Sequence, residues 1–277
     1  MIGIFDSGIG GLTVVKEIKK VIPKASIIYF GDTARLPYGN KSPETIKKYS
    51  REIVEFLEKK GCGTIVIACN SASALAADWL RDKYPHLSIY DVVSSGAEAV
   101  AGVTKNKKVG IIGTTATINS GVYKKKIAEL DSSIRVFTRA CPLFVPLVEE
   151  NWIKRPETKK IARTYLRPLK LQHIDTLLLG CTHYPLLEKV IGGVMGKRTK
   201  VIASGEKLTE KLHGSSASIL EAELPLGDRK LAEELKKEYN YRGKEADKYF
   251  VSDLTEHFQN LAQKILNENI KIKKIVL

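Results

Sequence analysis

Short apolar segments alternate with amphipathic helical patterns along this chain, and the alternation limits its possible folds more than any other feature. Parallel strands need long crossover connections, which are usually helices that cover the faces of the sheet. The alternation therefore predicts the α/β class, with mainly parallel sheets flanked by helices. A strand at 2–5 is predicted before a helix at 11–22, a strand at 26–32 before a helix at 43–60, and a strand at 64–68 before a helix at 71–84.

Two stretches of the first half have counterparts later in the chain. "IGIFDSG" at 2–8 corresponds to "VGIIGTT" at 109–115, an offset of 107 residues. "IVIACNSAS" at 65–73 corresponds to "LLLGCTHYP" at 177–185, and the two cysteines are 112 residues apart. Each stretch is an apolar strand that runs into small and polar residues. Two such pairs, in the same order and at nearly equal offset, predict two pseudo-symmetric α/β domains.

The boundary between these domains is predicted near "VVSSGAEAV", where a Ser-Ser-Gly turn is expected to start a new helix. Most residues after about 205 show helical patterns that we expect to pack back on the first domain, including those at 228–239 and 254–268. The predicted first domain is therefore discontinuous. The domains are predicted at 1–95 with 206–277, and at 96–205.

The excess of basic residues does not by itself indicate a nucleic-acid partner. The 277 residues include 45 lysines and arginines and 31 acidic residues, for a formal net charge of +14 at pH 7. The basic residues fall in short clusters on predicted helix faces and ends, without an aromatic platform on which bases would stack. We interpret them as solvated faces that also attract an anionic substrate. A small-molecule substrate and no nucleic-acid partner are therefore expected.

The apolar segments are too short for a membrane protein. None approaches the roughly 18 residues of a membrane-spanning helix. The N-terminus also lacks the basic region and apolar core of a signal peptide. We therefore expect a cytoplasmic protein with no membrane partner.

Four cysteines are present, at positions 62, 69, 141 and 181, and none forms a C-x-x-C pair. A disulfide framework is not expected, and a structural zinc site has little support, although Cys181 and His183 are spaced closely enough to share a metal. Cys62 precedes its strand and Cys141 lies in an apolar segment, so we interpret both as structural.

Cys69 and Cys181 are different, because each follows a predicted buried strand and precedes polar residues. The simplest interpretation is that both are buried core thiols with no chemical role. The alternative is that each lies at a helix N-terminus, where the helix dipole favours the thiolate and lowers the thiol pKa. Two thiols facing each other from pseudo-symmetric domains would suit removal of a proton from one face of a carbon and its return to the other.

Ligands of open parallel sheets bind beyond the carboxyl ends of the strands, so the polar residues at those ends are candidate site residues. Hydroxyls and turn amides are expected to hold a carboxylate, while Asp6 would attract an ammonium group or a proton. For Asp32 and Thr114 a purely local role as turn former or helix cap is about equally plausible. The candidates at the strand ends are Asp6, Ser7, Asp32, Thr114, Thr115, Thr117 and His183, together with the loop residues Pro37, Tyr38 and Gly39.

Five stretches together resemble the glutamate racemases of the cofactor-independent aspartate/glutamate racemase family. The resemblance covers about residues 2 to 205 and implies two α/β domains with a substrate cleft between them. It also implies conversion of L-glutamate to D-glutamate for peptidoglycan synthesis, a homodimer, and no metal, pyridoxal phosphate or nucleotide. The stretches are "FDSGIGG", "GDTARLPYG", "ACNSASA", "GTTATINSGVY" and "GCTHYPLL".

The resemblance also implies roles for individual residues. Cys69 and Cys181 match the family's two acid/base cysteines, and Asp6 and His183 match residues that assist the thiols. Two positions depart from the family pattern: Ser71 stands where a threonine is usual, and Ala203 stands where an acidic residue is common. The positions that match substrate-binding residues are Ser7, Pro37, Tyr38, Gly39, Asn70, Ser71, Thr114, Thr117 and Thr182.

Three other functions are considered. Aspartate racemisation would use the same chemistry, but "GCTHYP" favours glutamate. An amino-acid binding protein would use the same cleft without the thiols, and would usually carry an export signal. A nucleotide site at "GIGG" is disfavoured because Thr13 stands where the third glycine of the fingerprint belongs, and Asp6 would repel a pyrophosphate.

Overall fold

The computed structural model describes residues 1–208, 211–212 and 246–277. The helical pattern predicted at 228–239 lies outside these residues. The strands are β1 Ile2–Asp6, β2 Ile27–Gly31, β3 Thr64–Ile67, β4 Ser88–Asp91, β5 Lys108–Gly113, β6 Arg135–Ala140, β7 Thr176–Gly180, β8 Lys200–Ala203, β9 Lys248–Val251 and β10 Ile272–Lys274.

The helices lie between these strands, as the alternation predicts. Three further segments, Thr33–Arg35, Tyr38–Asn40 and Tyr184–Leu187, are short 3-10 helices. The α-helices are α1 Leu12–Val21, α2 Pro43–Lys59, α3 Asn70–Lys83, α4 Val92–Val103, α5 Thr115–Asn119, α6 Val122–Leu130, α7 Phe144–Glu149, α8 Pro156–Lys170, α9 Glu188–Met195 and α10 Glu256–Leu266.

The described strands form two parallel sheets with related topology. The first has six strands in the order β10-β9-β2-β1-β3-β4, and the second has four in the order β6-β5-β7-β8. Strands β2-β1-β3-β4 therefore correspond one for one to β6-β5-β7-β8. This correspondence confirms the pseudo-symmetric α/β fold, and it pairs β1 with β5 and β3 with β7, as the sequence echoes predict. The late strands β9 and β10 extend the first sheet beside β2.

Both sheets are covered by helices, because alternate strand residues point to opposite faces. On the first sheet, Ile4 and Val66 pack on the side of α1 and α10, while Phe5 and Ile67 pack on the side of α2 and α3. On the second sheet, Ile111 and Leu178 face α4 and α6, and the neighbouring strand positions face α7, α8 and α9. No described helix is long and apolar enough to cross a membrane.

The predicted Ser-Ser-Gly turn near residue 95 is wrong. Ser94, Ser95 and Gly96 lie inside α4, which begins at Val92 because the Asp91 side chain accepts a hydrogen bond from the Ser94 amide and caps the helix. Gly96 serves close packing instead of a turn. A Cβ atom there would lie 3.2 Å from the Tyr123 hydroxyl and 3.2 Å from Ser204 Cβ.

Candidate active site

The carboxyl ends of β1, β3, β5 and β7 surround a small cavity of about 20 Å³. This volume is about that of one water molecule. Eleven of its lining residues are sequence candidates, and Leu36 and Val145 are additional apolar ones. The candidates that line it are Ser7, Pro37, Tyr38, Gly39, Cys69, Asn70, Ser71, Thr114, Cys181, Thr182 and His183.

The remaining candidates lie behind or outside this lining. Asp6 is fully buried and accepts a hydrogen bond from the Thr182 hydroxyl at 3.1 Å. Thr117 is buried behind Thr114, and their hydroxyl oxygens are 3.0 Å apart. Thr115, in contrast, is exposed on the first turn of α5 and lies away from the cavity.

Cys69 lies between the end of β3 and the first residue of α3, as expected for a helix N-terminus. Its Sγ is 3.7 Å from the Ser7 hydroxyl oxygen. The expected low thiol pKa is wrong: burial, and then the negative charge of Asp6, raise the pKa of Cys69 to about 12. Hydrogen bonds from the Ala72 amide and from Ser7 oppose this shift but are outweighed. Cys69 is therefore a protonated thiol at neutral pH.

Cys181 has different surroundings from Cys69. The helical segment after it begins at Tyr184 as a 3-10 helix and continues directly into α9 at Glu188, with Pro185 in its first turn as expected. The Sγ of Cys181 is 3.9 Å from Nδ1 of His183. The two thiols thus lie at equivalent strand ends, one beside a carboxylate and the other beside an imidazole.

His183 connects Cys181 to Glu149. Its Nε2 lies 2.6 Å from Oε1 of Glu149, and the His183 side chain is buried. Burial disfavours the charged imidazolium, but the hydrogen bonds to Cys181 and Glu149 outweigh it and raise the pKa of His183 well above 6.5. The raised pKa favours the charged imidazolium beside Cys181.

Asp6 is held from two directions. The Gly8 amide donates a hydrogen bond to its Oδ2 at 3.0 Å, and the Thr182 hydroxyl donates to its Oδ1. Burial raises the pKa of Asp6, although the charge of His183 and these hydrogen bonds act in the opposite direction. Asp6 therefore ties the turn after β1 to the Cys181 loop and acts on Cys69 through its charge.

Three hydroxyl groups, one from the first half of the chain and two from the second, meet beside the cavity. Ser71 Oγ lies 2.9 Å from Thr114 Oγ1 and 3.4 Å from Thr117 Oγ1. Gly39 packs against this cluster, because a Cβ atom there would lie 2.7 Å from Thr114 Cβ. Ser71 stands where the family usually has threonine. Its hydroxyl still makes these contacts, so the serine keeps the hydroxyl group that a threonine would supply.

The loop from 32 to 40 is fixed by its own side chains. The Tyr38 hydroxyl donates to Asp32 Oδ2, and Arg35 Nε donates to the same oxygen at 2.7 Å. Arg35 also pairs with Glu52, and its guanidinium lies 4.1 Å from the Tyr49 ring centre. The Asp32 carboxylate is thus engaged in shaping the loop.

No group of three histidine, cysteine or acidic side chains among the described residues is arranged to hold a metal ion. Cys62 and Cys141 are both buried, and neither lines the cavity. Burial raises the pKa of Cys62 to about 11 and raises that of Cys141 as well.

Comparison with known proteins agrees with this geometry. The sequence profile of the Asp/Glu/hydantoin racemase family matches residues 11–212. A glutamate racemase from Sulfurihydrogenibium sp. is 43% identical over 277 residues, which cover 100% of this chain and 97% of that protein. The chain belongs to this racemase family.

Solved structures give the same result. Glutamate racemase RacE1 from Bacillus anthracis is 35% identical with a TM-score of 0.86, and the match covers 100% of this chain and 97% of that one. The glutamate racemase from Francisella tularensis in complex with D-glutamate is 32% identical with a TM-score of 0.85 and the same coverage. The enzyme is thus a cofactor-independent amino-acid racemase, an isomerase.

Three polar residues near the cavity are not among the sequence candidates. Glu149 ends α7 and holds His183, and His257 of α10 contacts its backbone oxygen at 2.5 Å. Tyr123 and Ser204 both contact Asn70. Glu149 has no local pattern that marks it, whereas Ser204 directly follows Ala203, one of the two positions that depart from the family pattern. Tyr123 does lie in one of the five recognised stretches, "GTTATINSGVY", which was the available signal.

Proposed function

We propose that the enzyme interconverts L-glutamate and D-glutamate by a two-base mechanism, with Cys69 and Cys181 as the two acid/base groups. The observation that carries this proposal is the presence of both thiols on the lining of one cavity, one at the end of β3 and the other at the end of β7. Removal of the Cα proton by one sulfur and delivery of a proton by the other inverts the centre.

The family resemblance supports a particular assignment of the two thiols. Burial and the charge of Asp6 keep Cys69 protonated, and His183 lies beside Cys181. In the direction from L-glutamate to D-glutamate, Cys181 accepts the proton and Cys69 donates one to the opposite face. The reverse reaction starts with the proton on Cys181 and the thiolate on Cys69.

The α-proton is very weakly acidic beside an ionised carboxylate, so the site must stabilise the charge that develops there. Donors aimed at the carboxylate provide this without a cofactor, and they act most strongly where water is excluded. Asn70, Ser71 and Thr182 line the cavity and supply an amide and two hydroxyls. Ser7, Thr114 and the loop from Pro37 to Gly39 complete the proposed substrate contacts, with Thr117 supporting Ser71 and Thr114.

Glutamate is many times larger than the roughly one-water volume of the cavity. The two halves must therefore separate to admit the substrate and close around it. Closure would also remove water from the reacting groups. We propose that the space between the two sheets is the substrate cleft, with domains at 1–95 with 206–277 and at 96–205.

The names of the relatives support glutamate as the substrate, and the Francisella tularensis racemase was solved with D-glutamate. The test is incubation of the dialysed protein with L-glutamate in D₂O without added cofactor. Circular dichroism should decay to zero while deuterium appears at Cα. Activity on aspartate alone would move the specificity, and inactivity on both amino acids would refute the function.

The mechanism has its own test in the cysteine variants. Cys69→Ala and Cys181→Ala should each abolish racemisation, whereas Cys62→Ala, a buried thiol away from the cavity, should keep it. Substantial turnover by either of the first two variants would contradict the two-base mechanism.

We further propose that the D-glutamate made here enters peptidoglycan synthesis in the cytoplasm and that the enzyme is a homodimer. Depletion of the enzyme should make growth depend on supplied D-glutamate. Light scattering of the purified protein should give twice the 30.7 kDa chain mass.

A further inference from the structure

Three buried side chains beside the cavity form a ring of polar contacts. The Tyr123 hydroxyl donates to Oδ1 of Asn70 at 2.6 Å, and Nδ2 of Asn70 donates to Oγ of Ser204 at 3.1 Å. The Ser204 and Tyr123 hydroxyls also interact, so the three groups contact one another in turn.

The three residues come from different parts of the fold. Asn70 starts α3 beside Cys69, Tyr123 lies on α6, and Ser204 directly follows β8. The side chains of all three are buried. The ring therefore connects the residue after one proposed catalytic cysteine to the second sheet and its helices.

The surrounding backbone leaves room for this ring. The Tyr123 ring packs closely against the backbone of two glycines. A Cβ atom at Gly96 would lie 3.2 Å from the Tyr123 hydroxyl, and one at Gly180 would lie 3.2 Å from its Cε2. Burial raises the pKa of Tyr123 well above 10, so its hydroxyl remains a neutral donor.

The structure places Oδ1 of the Asn70 amide toward Tyr123 and its Nδ2 toward Ser204. An asparagine has an oxygen that accepts and an NH₂ group with two hydrogens. Here the oxygen is engaged by Tyr123 and one hydrogen by Ser204, which leaves the second hydrogen for another acceptor. Asn70 lines the cavity, where a substrate carboxylate would be such an acceptor. A flipped amide would instead present its oxygen to that carboxylate and repel it.

We propose that Tyr123 and Ser204 are positioning residues that hold the Asn70 amide with a donor hydrogen toward the substrate carboxylate. Each hydroxyl holds one end of the amide, so loss of either one frees the amide to rotate. The proposal rests on glutamate racemisation as the reaction. It adds two residues that act through Asn70 and need not touch the substrate.

The test combines kinetics with a direct observation of the amide. Tyr123→Phe and Ser204→Ala each remove one hydroxyl and leave the packing almost unchanged. We expect each to lower kcat/KM for glutamate about tenfold, with part of the loss in kcat because the carboxylate gains charge in the transition state. The matched controls are Tyr84→Phe, which loses a hydroxyl bonded to Glu55 at the far end of α3, and Ser95→Ala, which loses one bonded to the Asp91 carbonyl. Both controls should keep the wild-type kinetics.

Two further measurements separate positioning from a general loss of structure. In an Asn70→Ala background, Tyr123→Phe should have no further effect on kcat/KM, because the group it orients is gone. The Asn70 side-chain amide signals in a ¹H–¹⁵N NMR spectrum, identified by their loss in Asn70→Asp, should shift in both ring variants and stay in place in both controls.

The outcomes are distinct. Unchanged amide signals in both ring variants, unchanged kcat/KM, or an equal loss in the Asn70→Ala background would each overturn the proposal. If the wild-type protein fails to racemise glutamate, the proposed function fails instead, and the amide signals still report whether the ring forms.

Discussion

Gly10→Ala tests whether stability and activity depend on the close contact between the backbone at Gly10 and the loop of Thr182 and His183. A Cβ atom at Gly10 would lie 2.4 Å from Thr182 Oγ1, 2.7 Å from His183 Nδ1 and 2.8 Å from the Thr182 carbonyl carbon. Ordinary contacts need about 3.5 Å, so these groups must move by about 1 Å. Because one of them is backbone, rotation of a side chain does not make the room.

The structure gives the expected size of this effect. Overpacking of a tight site costs about 1–3 kcal/mol of unfolding free energy. The Thr182 hydroxyl also loses its hydrogen bond to Asp6, which adds about 1 kcal/mol. Activity is more sensitive than stability, since a displacement of about 1 Å at a catalytic group can lower the rate about a hundredfold.

The matched control is Gly192→Ala in α9, where a Cβ atom would meet nothing within 4 Å. Alanine inside a helix is favoured over glycine by about 0.5–1 kcal/mol, so this variant should be as stable as wild type or more so. Urea unfolding gives the free energies, and circular dichroism of glutamate gives kcat/KM. If Gly10→Ala matches wild type in both measurements, the contact between the two loops is not required.

Three more predictions concern single side chains. Glu149→Gln removes the charge that holds His183 and should lower kcat/KM about tenfold to hundredfold in the same assay, whereas full activity would exclude a role for that charge. The folded pKa of His183 is raised, so its stabilising effect is complete below about pH 6.5 and is lost at higher pH. The gap in unfolding free energy between wild type and His183→Asn should therefore shrink as pH rises, and a widening gap would contradict the raised pKa. Ser71→Thr should retain activity because its hydroxyl still reaches Thr114, whereas Ser71→Ala should lower kcat/KM about tenfold; equal kinetics of the two variants would argue against the hydroxyl contact.

Most of the architecture could be predicted because its signals are local. Strand and helix periodicity depend on neighbouring residues, and α2 begins and ends within one residue of its predicted range at 43–60. The echo between the two cysteine stretches also gave the equivalent positions of β3 and β7. The Ser-Ser-Gly turn failed because a cap at Asp91 outweighs local turn preference, and Gly96 reflects packing against residues far along the chain.

The electrostatics of the site could not be predicted in the same way. A cysteine at a helix start was expected to have a lowered pKa, yet the pKa of Cys69 is about 12. Its burial and the distance to Asp6 depend on the tertiary fold and exceed the effect of the helix dipole. Glu149 and Ser204 were missed for a related reason, since each acts on a residue far from it in sequence.

The symmetry of the fold and the asymmetry of its charges together limit what kinetics can show. Because two enantiomers have equal free energies in water, the equilibrium constant is unity, and kcat/KM must be the same in both directions for every variant. A change in the charges around one thiol therefore alters kcat and KM for L-glutamate and D-glutamate separately but never the ratio of the two kcat/KM values. His183 lies beside Cys181, so its charge acts mainly on one of the two thiols. Its removal should consequently change the kcat of the two directions unequally while lowering both kcat/KM values by the same factor.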